Sequence, residues 1–201
     1  MSKLLALFPL EVVLFPGAPL PLHIFEPRYK EMIGDLLESK ERFGVVRARE
    51  GGIEPVGCSA EVVAVAKRYE DGRMDIVTEG RDRFEIMQVN SEKNYLRAEV
   101  LYFVDEPDRP PAEDIERLLE MHKEMLQLLG ANADLPDAAD RQLTMEIAAT
   151  MPFDLDTKQQ LLASRSEPQR VAALIGSYEK VLPSLRRASK ARRKAGGNGH
   201  V

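Results

Sequence analysis

Apolar positions change their spacing near residue 105. Before it they come in short runs cut by Gly, Pro, Asp and Asn; after it they recur at three- and four-residue steps. The opening stretch 4–25, LLALFPLEVVLFPGAPLPLHIF, is apolar but carries Pro9, Pro16, Pro19 and Pro21. Each proline removes a backbone donor and fixes φ, so the stretch reads as short extended pieces and not as a helix. Phe15-Pro16-Gly17 marks a turn at its centre. Large apolar side chains on extended backbone need other strands to cover them.

Pro27 suits the first turn of a helix, and Tyr29, Met32, Ile33, Leu36 and Leu37 follow at helical spacing. Residues 42–48 read as a strand, Glu50-Gly51-Gly52 as a turn, and Gly57 as the opening of the next strand. Valine-rich 61–69 and residues 74–79 flank Asp71-Gly72, which predicts a hairpin with a type I′ turn. Gly80 is expected to end that strand, Phe84, Ile86 and Val89 to lie on another, and 96–104 to close the set. Six or more strands plus one helix predict a small barrel or sandwich.

The charged, Pro-rich junction 105–111 predicts a boundary, with a β subdomain at 1–107 and a helical one at 108–188. Ile115, Leu118, Leu119, His122, Met125, Leu126 and Leu129 share one helix face, and Gly130 supplies the stop. Leu135-Pro136-Asp137 is expected to open a second helix with Leu143, Ile147 and Met151 inward. Asp154 or Asp156 would cap a short third helix ending near Ala163. Ser166 and Gln169 form an S-x-x-Q capping box before a last helix bearing Val171, Leu174, Ile175, Tyr178, Val181, Leu182 and Leu185. Residues 189–201 lack apolar residues for a core and are expected to be disordered.

Composition adds an asymmetry. The net charge is −5, but 186–201 hold six basic residues and no acidic one, leaving 22 basic against 33 acidic residues before them. An acidic body repels phosphates, which counts against nucleic acid as a partner. No apolar run nears the roughly 20 residues that span a bilayer. The opening lacks a small-residue cleavage pattern, so no secretory signal is expected. The single cysteine, Cys58, fits a reducing cytoplasm and a buried position.

Motifs for chemistry are sparse. The chain has no G-x-x-x-x-G-K-[ST] loop to wrap phosphates and no G-x-G-x-x-G after a strand. His23, His122 and His200 are far apart, and no C-x-x-C is present, so neither a metal nor a cofactor is expected. His23 and Glu26 form H-x-x-E, but Pro21 and Pro27 bracket them, so the two side chains should diverge. His122 reads as a satisfied core histidine. No serine stands in a G-x-S-x-G elbow. Arg81 and Arg83 could hold a carboxylate or phosphate, or could pair with Asp82 and Glu85 on a solvated turn. Phe15, Pro16, Ala18, Leu20 and Pro21 would offer an apolar platform for an extended peptide if the turn is exposed, and are ordinary core if it is not.

The run LFPLEVVLFPGAPLPLHIFEPRYKEMI resembles the opening of the Lon protease N-terminal, substrate-binding domain. Gly57-Cys58-Ser59-Ala60-Glu61-Val62, Asp71-Gly72-Arg73, Gly80-Arg81-Asp82-Arg83-Phe84-Glu85-Ile86 and Leu96-Arg97-Ala98-Glu99-Val100 are similar to later family segments in the same order. So is PFDLDTKQQLLASRSEPQRVAALIGSYEKVL, and the likeness covers roughly 4–185. The resemblance implies an α+β fold: a PUA-like β-barrel followed by a small helical bundle. It also implies a bacterial, stand-alone member without the ATPase and peptidase domains. Its expected function is non-catalytic binding of unfolded polypeptide or a partner protein, in the cytoplasm. The expected peptide contacts are Phe15, Pro16, Leu20, Pro21, His23, Arg81 and Arg83. PUA-like barrels elsewhere contact RNA, so an RNA-binding module is one alternative, and a small-ligand enzyme with an unrecognised site is another.

Overall fold

In the computed structural model, residues 4–131, 134–140 and 142–196 are described, with side chains as far as 191. The elements run β1 (Leu5–Leu10), β2 (Pro19–Ile24), α1 (Pro27–Ser39), β3 (Phe43–Arg49), β4 (Gly52–Arg68), β5 (Met74–Asn90) and β6 (Arg97–Tyr102). Four helices follow: α2 (Ala112–Leu129), α3 (Leu143–Thr150), α4 (Leu155–Ala163) and α5 (Glu167–Gly196). The chain divides into two units: Met1–Val104 with Ala148–Ala163, and Asp105–Ile147 with Ser164–Val201. This division is interleaved along the sequence, whereas the composition break suggested two contiguous parts.

In the first unit the strands lie in the order β2-β5-β4-β3-β1-β6, and a further β5–β6 pairing closes five of them into a ring of hydrogen bonds. β1 and β3 are parallel, because β2 and α1 form the crossover between them. All other pairs are antiparallel. Both faces of β1 are covered, which explains its unbroken apolar run. Leu7 joins Val46, Phe84 and Ala98 in one buried cluster. Phe8 points the other way, its ring 4.0 Å from that of Tyr29 on α1. Gly44 and Gly57 make room for Phe84, since a Cβ on either would lie 2.5 or 2.7 Å from the ring.

The β4–β5 hairpin forms where Asp71-Gly72 predicts it, but its turn is not type I′. Gly72 alone has positive φ there, at 80°. Gly72 N–H donates to Tyr69 O (3.0 Å) and Tyr69 N–H to Arg73 O (2.9 Å), so a three-residue loop ends on a left-handed glycine. β4 opens at Gly52 and not at Gly57, and β5 runs through Gly80 without a break. α1 starts on Pro27 and is capped after Ser39 by Lys40, a non-glycine residue at φ 54°. α4 is tied to the sheet by Arg47 Nη1 to Asp156 Oδ1 (2.6 Å) and by Gln159 Nε2 to Val56 O (2.9 Å).

The second unit is helical around a charged centre. Arg170, fully buried on α5, donates to both oxygens of Asp105 (2.8 and 2.5 Å), to Thr144 Oγ1 (2.8 Å) and to Ser164 O (3.0 Å). His122 Nδ1 lies 2.7 Å from Tyr178 Oη, making it the satisfied core histidine expected. Burial holds the His122 pKa below its usual value and raises that of Tyr178. Ser166 Oγ accepts Gln169 N–H at the start of α5 (3.4 Å), as the capping box predicts. Two expectations fail. Residues 135–140 and 142 are not helical; Asp137 and Asp140 each accept the N–H two residues on, stabilising turns until α3 begins at Leu143. α5 continues to Gly196, into the stretch expected to be disordered from 189; 197–201 lie outside the described residues.

Candidate functional site

Three regions of the first unit carry the candidate residues. At the Phe15-Pro16-Gly17 turn, Gly17 N–H donates to Gly80 O (2.9 Å) and Gly80 N–H to Ala18 O (2.9 Å). A Cβ on Gly80 would sit 2.1 Å from Phe15 O, so only glycine allows this approach. Gly80 is thus the docking point of the turn and not the end of a strand. Phe15 itself is 1% exposed and belongs to the core. Pro16 and Leu20 are half-buried, and Pro21 and His23 are exposed.

β2 pairs with β5 alone among the described residues. Pro19 and Pro21 lack N–H groups, so the ladder bonds fall on the intervening Leu20, Leu22 and Ile24, which face Thr78, Ile76 and Met74. The outer edge therefore presents carbonyls with few donors. His23 turns to Asp75, Nδ1 to Oδ1 2.5 Å, while Tyr69 Oη donates to Asp75 Oδ2 (2.8 Å). These two bonds, the His23 one first, lower the Asp75 pKa. Glu26 instead accepts Arg28 Nε (2.9 Å), so the H-x-x-E pair diverges as expected. Phe25, 59% exposed, stacks on His23 at 6.0 Å.

Arg81 and Arg83 have separate partners. Arg81 bonds Glu61 (2.8 Å) and Glu79, and these carboxylates raise its pKa. Arg83 is buried, 4.8 Å from the Phe103 ring centre, and donates to Leu162 O (3.0 Å) in the last turn of α4. A cation there satisfies a helix-end carbonyl and complements the helix dipole. Cys58 is fully buried, which pushes its thiol up to about 12. Among the described residues, no group of His, Cys, Asp and Glu could hold a metal ion.

The third region was not visible in the sequence. A cavity of about 710 Å³ opens where β1 begins, between α1, the β5–β6 loop and β6. Leu5, Leu36 and Val100 supply apolar wall, Arg42, Lys93 and Arg97 supply positive charge, and Asp35 and Glu41 supply negative charge. Lys93 Nζ donates to Asp35 Oδ2 (2.7 Å) and Tyr95 Oη (3.0 Å), raising the lysine pKa and lowering that of Asp35. Lys93, Tyr95 and Arg97 alternate along the sequence, a weak signal hidden by the loop they start from.

The family model described as the ATP-dependent protease La (LON) substrate-binding domain matches residues 4–177. This chain belongs to the LON substrate-binding domain family. Its relatives include a Lon protease of Parabacteroides distasonis, 31% identical over 135 residues, covering 62% of this chain and 16% of that protein. A Lon protease of Flavobacterium johnsoniae is 26% identical over 185 residues, covering 87% of this chain and 22% of that protein. The chain thus spans about a fifth of the length of the relatives it matches. In fold it is similar to the Lon N-terminal domain protein from Xanthomonas campestris, with a TM-score of 0.69 and 24% identity over 87% of this chain and 98% of that one. It is also similar to the N-terminal domain of Mycobacterium avium complex Lon protease, with a TM-score of 0.65 and 19% identity over 89% of this chain and all of that one. The match lies in the LON substrate-binding module and not in a protease or ATPase domain. No helix among the described residues is long and apolar enough to cross a membrane.

Proposed function

We propose that this chain is a non-catalytic module that binds polypeptide, either unfolded segments or a partner protein, in the cytoplasm. The observation that carries this reading is the substrate-binding family match over 4–177. The surface around β2 supports it, with Pro16, Leu20, Pro21 and His23 beside the exposed Phe25 ring, and Arg81 at the neighbouring Gly80 contact. Phe15 serves this surface from within by holding the turn, whereas Arg83 is buried against α4 and away from solvent. Because the β2 edge has few donors, recognition here rests on side-chain contacts more than on an added strand. The test titrates fluorophore-labelled, reduced and carboxymethylated lactalbumin. Saturable binding that weakens about tenfold in Phe25→Ser, with an unchanged melting temperature, is expected. Binding no tighter than to an unrelated acidic domain would refute the reading.

A further inference from the structure

The cavity beside β1 has a chemistry distinct from the β2 surface. Arg97 is its least engaged cation. Its Nε is buried without a hydrogen-bond partner, and its Nη2 reaches Asn90 Oδ1 and Glu92 Oε2 only at 3.3 Å each. Glu92 is 77% exposed and so is a weakly held counter-ion. Arg42 and Lys93, by contrast, hold carboxylates at 2.5 and 2.7 Å. A guanidinium on loose partners, against the walls of Leu5, Leu36 and Val100, suits a ligand with a carboxylate and an apolar body joined at one carbon. A peptide's last residue has that form. An internal Asp or Glu does not, because its backbone must continue on both sides of it. The volume, about 710 Å³, is of the size that takes drug-like molecules and so a few residues.

We propose that this cavity binds the C-terminal end of a polypeptide, with Arg97 receiving the terminal carboxylate and the apolar wall receiving the last side chain. The proposal rests on the polypeptide-binding reading and adds which part of the chain is recognised. Tyr102, half-exposed and lining the cavity, supplies a hydroxyl for the final peptide group, while the Tyr95 hydroxyl is held by Lys93 and Asp35.

The test is fluorescence anisotropy on the full chain, using a labelled ten-residue peptide ending in Val-Leu, as the free acid and as the C-terminal amide. The acid is expected to bind at least tenfold more tightly than the amide. Arg97→Met should abolish the difference, and Arg97→Lys should keep part of it. Acid and amide binding within twofold of each other, while unfolded lactalbumin still binds, would overturn this proposal and leave the broader one standing. No binding of either peptide or of lactalbumin would overturn both. N-acetyl-leucine is the third arm. If it binds as tightly as the peptide acid, the site serves a free small carboxylate and the peptide assignment fails. The acid–amide comparison needs no variant, so a poorly folding Arg97→Met leaves the test intact.

Discussion

The two units bury their large side chains by opposite means. In the ring, Phe84 packs over Gly44 and Gly57, and the central cluster contains no charge. In the helical unit the largest fully buried side chain is an arginine, and a buried histidine bonds a buried tyrosine. An apolar centre is non-directional and depends on volume. A centre built on Arg170 depends on every donor finding its acceptor, and loses heavily when one partner is removed. The first should be sensitive to steric change, the second to charge and pH.

The largest effect should come from Arg170→Met, which removes the buried donor that Asp105, Thr144 and Ser164 share. A loss of about 3–5 kcal/mol is expected. Hydrogen exchange should show it first in α2 and α5; equal acceleration in β4 and β5 would erase the contrast between the units. Gly80→Ala comes next. Its methyl must displace the Phe15 carbonyl, at a cost of about 2–3 kcal/mol. Urea denaturation should read this loss, and exchange should rise at residues 15–20. A neutral result would show that the turn is not held by this close approach.

The smallest effect concerns pH. His122 is held neutral by burial, with its pKa below the unfolded value. Between those two values the unfolded chain binds the extra proton, so stability present above the unfolded pKa is lost as pH falls towards the folded one. Wild type should therefore lose more stability than His122→Gln between pH 7.5 and pH 5.5, measured by urea denaturation at each pH. Parallel losses in both proteins would assign the pH dependence elsewhere.

Legibility followed how local each cause was. α1 was readable because Tyr29, Met32, Ile33 and Leu36 state its buried face within one helix. The hairpin was readable from Asp71-Gly72, though not the turn type, since the loop holds one residue more than a type I′ turn allows. Gly80 was misread as a stop because its reason lies in a carbonyl 65 residues earlier in the chain, at Phe15. The role of Arg83 as a partner of α4 depends on a helix 79 residues away. Arg170 sits in a run of good helix positions, and nothing nearby marks it as the centre of a unit. The cavity escaped notice for the same reason: its cations come from a loop, a strand and the residue before β3, and meet only when the ring closes.

The prolines of β2 have a consequence for association between copies. A bare sheet edge offers alternating donors and acceptors and can recruit another chain's strand, then another, into a growing fibre. Pro19 and Pro21 remove the donors along most of this edge while leaving the ladder to β5 intact. The polypeptide binding proposed above would bring many exposed strands to this edge. This edge can present its side chains to them without becoming the seed on which they polymerise.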